Sequence, residues 1–225
     1  MLRRFRRVLV VAAVSAEREA VAAATAGTAP HWDVLVGGVG PAAVAARTTT
    51  ALMTAAHEGR PYDLVVCAGI GGGFAANGVH VGDTVIADRL VAADLGSELP
   101  AGPGEPPGFA SVADLGFGRS EHRPAAALVE AVAEATGGRQ GTVLSVSTTT
   151  GTRRHADLLL TRYPTAAAEA MEGFGVAEAA TAHADGVDFL EIRAVSNAVG
   201  PRDRAAWRIP QALAALTAAF GKLVP

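Results

Sequence analysis

Short apolar runs of strand length alternate along this chain with alanine-rich stretches of helical period, and that alternation restricts the fold more than any other feature. The runs fall at 8–14, 34–36, 64–68, 84–92, 142–147 and 189–195, and the helical stretches at 16–26, 41–57, 124–136, 153–161, 173–183 and 209–222. Several runs are apolar at successive positions instead of every second one, which marks strands covered on both faces. Helices between such strands supply the cover, so the sequence predicts an α/β fold, a three-layer α/β/α sandwich around a central mixed sheet. The 225 residues suit a single domain, 1–225, with a sizeable core. The Pro/Gly-rich stretch at 96–108 is too short to join two domains and reads as a surface loop, a candidate mobile lid.

Composition then narrows the partners. Half the residues are apolar, 18% are charged and the formal net charge is -3. With 22 acids against 19 Lys and Arg, there is no electrostatic case for nucleic acid. Cys67, the single cysteine, lies inside the apolar run 64–68, so no internal disulfide or thiolate metal cluster forms and a reducing, cytoplasmic setting is expected. The basic start, Arg3-Arg4-Phe5-Arg6-Arg7, before an apolar run has the outline of a signal peptide. The run is only strand length, however, and ends in Ser15-Ala16-Glu17-Arg18-Glu19, which opens an amphipathic helix with acids in its first turn. It is read as the first buried strand. Charges or glycines break every other apolar stretch short of the roughly 20 residues of a membrane span, so no membrane partner is expected.

Two glycine clusters carry the first chemical signals. Gly38-Val39-Gly40-Pro41-Ala42-Ala43 matches a dinucleotide fingerprint in form, but the acid that should cap a following strand to hold a ribose is missing, and a tight strand-to-helix turn is the better reading. Gly69-Ile70-Gly71-Gly72-Gly73 follows a buried strand, where bare backbone lets N–H groups approach a ligand, and it is read as a loop forming the floor of a pocket. The six histidines show no i,i+4 pair and no His-Glu-x-x-His, so no metal and no cofactor is expected. No Gly-x-Ser-x-Gly elbow is present, and a mid-strand Cys67 argues against a covalent acyl enzyme. Glu17, Glu172 and Asn197 each stand near the end of a strand, where ligands sit in α/β sheets, and they are expected to converge with the 69–73 glycines on one cleft.

Taken together, several motifs resemble the nucleoside phosphorylase and nucleosidase superfamily across nearly the whole chain. They are Ala13-Val14-Ser15-Ala16-Glu17, Ala68-Gly69-Ile70-Gly71-Gly72-Gly73-Phe74, Val81-Gly82-Asp83, Met171-Glu172-Gly173 and Arg193-Ala194-Val195-Ser196-Asn197. Asn197-Ala198-Val199-Gly200-Pro201-Arg202-Asp203, with Trp207 downstream, is similar in particular to the futalosine hydrolases of the alternative menaquinone pathway. The resemblance implies a nucleoside phosphorylase-like fold and hydrolysis of the N-glycosidic bond of futalosine, releasing hypoxanthine and dehypoxanthine futalosine. It implies that Glu17 activates water, Glu172 accepts from the ribose hydroxyls and Met171 packs against the sugar. Gly69, Ile70 and Gly71 would floor the pocket, Thr149 and Thr150 would line the purine side, and Ser196 and Asn197 would face the base. A benzoate on the 5′ side would meet Arg202, Trp207 and Arg208. A homo-oligomer is implied, with a dimer the expected form.

The chemistry is coherent in its own right. Cleaving the bond builds positive charge on the ribose, so water, a base for its proton and stabilisation of the leaving purine are all required. Where adenosine-type nucleosidases carry aspartate, this chain has Asn197, which cannot titrate but can donate its amide N–H, and a 6-oxopurine fits it better. From Gly69 through Asp88 there is no Arg or Lys to hold phosphate, which favours water over phosphate as nucleophile. A methylthioadenosine/S-adenosylhomocysteine-type nucleosidase, a purine nucleoside phosphorylase and a non-catalytic nucleoside-binding module stay open as alternatives.

Overall fold

The computed structural model describes residues 2–28, 31–103, 108–183 and 187–224. Its strands are β1 (Arg7–Ala12), β2 (His31–Val36), β3 (Leu64–Gly73), β4 (Thr84–Ala92), β5 (Gly96–Leu99), β6 (Gly108–Ser111), β7 (Glu121–His122), β8 (Arg139–Ser145), β9 (Ala166–Ala170) and β10 (Asp188–Ala198). The helices are α1 (Ser15–Thr25), α2 (Pro41–His57), α3 (Ala126–Thr136), α4 (Arg153–Arg162), α5 (Gly173–His183) and α6 (Ile209–Leu223).

Side chains along the central strands alternate between two buried faces, as the continuous apolar runs require. Val8 and Val10 of β1, Leu64 and Val66 of β3, and Leu190 and Ile192 of β10 pack with α1, α3 and α6 through Val21, Val132, Leu216 and Phe220. The residues between them, Leu9, Val11, Val65 and Cys67, pack with α2 and α5 through Val44, Leu52, Val176 and Ala180. The three layers are those the sequence predicts, and the sheet is mixed: β4 against β10 and β3 against β9 run antiparallel, while β1 pairs β2 and β3 in parallel.

The sheet also closes on itself. Its path runs β10-β4-β8-β9-β3-β1-β2, and β10 pairs again with β3, so five strands form a ring from which β1 and β2 extend. The glycines of β3 make the closure, because Leu64 to Cys67 pair with β1 whereas Gly72 and Gly73 pair with β9. The 69–73 segment is therefore not a loop. It is strand, and the absence of side chains lets β9 and β10 approach it closely from either side.

Other departures have equally local causes. β9, the strand implied by the placement of Glu172, has no predicted limits because Ala-Ala-Ala-Glu-Ala has helical composition; all five residues are buried, and small side chains fit where β8 and β3 flank it. The 96–108 stretch is only partly a surface loop, since its ends belong to an antiparallel ribbon, β5 with β6, registered from Gly96↔Ser111 to Leu99↔Gly108. Residues 104–107 of that stretch lie outside the described residues. Among the described residues, no helix is long and apolar enough to cross a membrane.

Candidate active site

The C-terminal ends of β1, β3, β9 and β10 open into one cleft of about 330 Å³. Glu17, Ile70, Gly71, Met171, Glu172, Ser196 and Asn197 line it, with Thr149 and Thr150 from the loop after β8 and Arg202 and Trp207 from the segment before α6. The convergence expected from strand ends is thus observed for eleven of the thirteen predicted residues, Gly69 and Arg208 being the two outside.

Glu17 reaches the cleft because β1 stops at Ala12 and α1 starts three residues later. It stands at the third helical position and turns back, so that Oε2 accepts from the backbone N–H of Ala13 (3.0 Å) and Val14 (3.2 Å). This is the reach-back half of a capping box. Oε1 accepts from Ile70 N at 2.8 Å, which ties the helix start to β3. Three N–H donors thus aim one carboxylate that is 4% exposed.

Glu172 is held as firmly between β9 and α5. Its Oε1 accepts from Gly40 N at 3.2 Å, and its Oε2 from Met171 N at 3.2 Å and from Arg193 at 3.1 Å. Gly40 caps α2 with φ +90°, a conformation that favours glycine, so the false dinucleotide fingerprint is a turn whose N–H grips this acid.

Arg193, 1% exposed, organises the floor. Its Nη2 meets Glu172 and lies 3.0 Å from Cys67 Sγ, its Nε donates to Glu191 Oε1 at 2.8 Å, and its Nη1 points to Ile70 O at 3.4 Å. Burial opposes the charge, but the neighbouring carboxylates of Glu191, Glu172 and Glu17 hold the guanidinium well above its ordinary value, so it stays cationic. Burial pushes the Cys67 thiol well up, leaving it neutral.

The far wall is built from amides and hydroxyls. A β-bulge in β10 between Val195 and Asn197 breaks the two-residue alternation and lets consecutive residues, Ser196 and Asn197, both face the cleft. Ser196 Oγ donates to Asn197 Oδ1 at 2.8 Å, and Asn197 Nδ2 donates to Ala198 O at 3.0 Å, leaving one amide N–H free to donate. Thr150 donates its N–H (2.8 Å) and its hydroxyl to Glu169, a buried acid whose carboxyl is raised by burial against those two hydrogen bonds. Above this wall the Arg202 guanidinium lies 5.2 Å from the Trp207 ring.

Two predicted residues stand elsewhere, each for a physical reason. Gly69 lies under the cleft, not in its wall, and the space it leaves is filled by Glu17 and Arg193 instead of ligand. Arg208 turns away, donating to the carbonyls of Ala205 and Trp207, while its backbone N–H donates to Ser196 O at 2.8 Å. The sequence reading missed Glu169 and Glu191, and treated Arg193 only as part of a motif. Charged residues inside an otherwise apolar strand, as in Leu190-Glu191-Ile192-Arg193-Ala194, were the available signal, because charges are buried only when paired.

With the geometry in place, comparison with known proteins gives one answer. Residues 9–224 match the family model described as the phosphorylase superfamily. The chain is 59% identical to a futalosine hydrolase of Streptomyces coelicolor, covering 96% of this chain and 94% of that protein. It is 43% identical to a futalosine hydrolase of Acidothermus cellulolyticus, covering 96% and 89%. Among solved structures, a 5′-methylthioadenosine/S-adenosylhomocysteine nucleosidase of Neisseria meningitidis superposes with a TM-score of 0.79 at 18% identity, over 97% of this chain and 98% of that one. The futalosine hydrolase of Helicobacter pylori gives 0.76 at 14% identity, over 97% of both chains, and these two likenesses bear on the fold. A superfamily match over nearly the whole length, together with two relatives above 40% identity, shows that this chain belongs to the phosphorylase superfamily and, within it, to the futalosine hydrolase family.

Proposed function

We propose that the protein is a purine N-glycosyl hydrolase whose substrate is futalosine, acting in menaquinone biosynthesis. The observation that carries this reading is the pair of immobilised carboxylates, Glu17 and Glu172, in one cleft opposite a free amide donor on Asn197. The 59% identity to a futalosine hydrolase supports the choice of substrate.

Glu172 accepts from the ribose hydroxyls and fixes the sugar, and Met171 packs against it. Water beside the anomeric carbon gives its proton to Glu17 as the bond from that carbon to the purine breaks, the electron pair leaving with the base. The negative carboxylates beneath the sugar favour its developing positive charge. Asn197 donates a hydrogen bond to the 6-oxo group or N7, and the departing hypoxanthine takes up a proton from solvent, to which Glu17 returns the one it accepted. Thr149 and Thr150 border the purine, and Arg202 and Trp207 receive the aromatic carboxylate on the 5′ side.

The protein works as a homo-oligomer, a dimer being the simplest form, in the cytoplasm. Exposed Leu95 and Leu99 at the two ends of β5 and exposed Leu115 and Phe117 in the turn after β6 support association, because apolar side chains left in solvent favour contact with a partner. Purified protein incubated with futalosine, inosine and methylthioadenosine, with and without phosphate, tests the whole reading. Free hypoxanthine from futalosine at a rate independent of phosphate is the expected result. Ribose 1-phosphate products would make it a phosphorylase, and binding without turnover would make it a nucleoside-binding module.

A further inference from the structure

Beneath the cleft lies a carboxylate that the proposed reaction never touches. Glu191 is fully buried on β10 and contributes nothing to the cavity wall. Its Oε1 accepts from Arg193 Nε at 2.8 Å, two positions along the same strand face, and its Oε2 has no hydrogen-bond partner among the described residues. Its register neighbour on β3 is Cys67, the neutral thiol that Arg193 Nη2 also approaches. A Cβ at Gly173 would overlap the Glu191 carboxyl, so the glycine that follows Glu172 leaves the space this head group occupies.

Such an acid is a poor investment for stability alone. Desolvating an ion pair is costly, and well-packed apolar side chains commonly stabilise a core as well or better. What Glu191 supplies is direction. Gripped at Nε, the planar guanidinium cannot rotate, and its other two nitrogens are set where Nη2 meets Glu172 Oε2 and Nη1 stands over Gly69 beside Glu17.

We propose that Glu191 is a positioning residue for hydrolysis: by holding Arg193 Nε it fixes the guanidinium that braces Glu172 next to Glu17. The inference rests on the hydrolytic reading of the cleft. It predicts a division between two substitutions. Glu191→Gln keeps an oxygen that accepts from Nε and retains kcat within about threefold. Glu191→Val removes the grip and lowers kcat on the order of 10²-fold, the effect of misplacing a reacting group by about 1 Å. Hypoxanthine affinity changes little in either, because neither substitution touches the purine wall.

The test measures kcat and KM for futalosine and Kd for hypoxanthine in wild type, E191Q, E191V, R193K and the E191V/R193K double variant, below the lowest Tm of the set. Lysine keeps the charge at 193 but lacks the fork, so the double variant should lose no more than the worse single variant. Should E191V fail to fold, Glu191→Met fills the same space and serves the same comparison. A kcat within threefold of wild type in E191V, equal losses in E191Q and E191V, additive losses in the double variant, or parallel losses of kcat and hypoxanthine affinity would each overturn the proposal. If wild type itself releases no base from futalosine, inosine or methylthioadenosine, the hydrolytic reading has failed, which is a different result.

Discussion

Adding one methyl group at Gly69 should disable the reaction without touching the ligand. A Cβ there would lie 2.5 Å from Glu17 Oε1, 2.9 Å from Glu17 Cδ and 2.8 Å from Arg193 Nη1. Restoring an ordinary contact of 3.4 Å requires the Glu17 oxygen to retreat by about 0.9 Å. The retreat is resisted, because three backbone N–H groups hold Glu17 and three polar partners hold Arg193. Misplacement of about 1 Å costs on the order of 10²-fold in rate, so Gly69→Ala should lower kcat by roughly that factor. Overpacking of a tight site costs about 1–3 kcal/mol, and for a chain of this size 2 kcal/mol lowers Tm by about 4–8 °C. Hypoxanthine affinity should hold, since Gly69 does not line the cleft. Stopped assays of hypoxanthine release, isothermal titration with hypoxanthine and a thermal melt read all three. A variant with wild-type kcat and unchanged Tm would refute the idea that Gly69 exists to make room for Glu17 and Arg193.

Glu17→Gln should lower turnover by roughly 10²–10⁴-fold, the usual contribution of a general base, and leave binding of an unreactive nucleoside analogue measurable by calorimetry. Glu172→Gln should weaken nucleoside binding and turnover but spare free hypoxanthine, because the amide turns part of an acceptor-only group into a donor; unchanged relative affinities would take Glu172 off the ribose. Arg202→Ala should reduce the futalosine over inosine ratio of kcat/KM by about fivefold, a modest figure because Arg202 is exposed, whereas Arg208→Ala should leave it unchanged. Tyr62, pushed up to about 12 by burial and by its hydrogen bond to Asp33, stays protonated longer in the folded than in the unfolded chain. Its contribution is therefore full below about pH 10 and lost as pH rises toward 12, so Tyr62→Phe should flatten the alkaline fall in urea-melt stability relative to wild type.

Much of the molecule was legible because the relevant physics is local. Continuous apolar runs announced strands covered on both faces, and 41–57 and 84–92 appear with the predicted limits, since Pro41 can open a helix and Thr84 to Ala92 is rich in β-branched and apolar residues. Strand-end placement drew Glu17, Glu172 and Asn197 into one cleft without any knowledge of the ring. β9 is signalled only by the strand end at Glu172 and carries no limits of its own in the sequence, because its alanines say nothing of the flanking strands that require small side chains. The glycines of β3 read as a loop from sequence because their role depends on β9 and β10, distant in the chain.

Periodicity along the chain is enough to mark the layers, and the acids Glu17 and Glu172 and the amide Asn197 stand out as candidates from their places at strand ends and from the motifs that resemble the superfamily. What those acids lean on is set by contacts between distant segments. The folded chain places a guanidinium from β10 beneath Glu172 and beside Glu17, seats Glu191 against Gly173, puts Gly69 under the acids instead of under the ligand, and turns Arg208 away from the cleft. Each of these is a contact between segments far apart in the chain, and such contacts exist only once β3 and β10 have paired and the ring has closed.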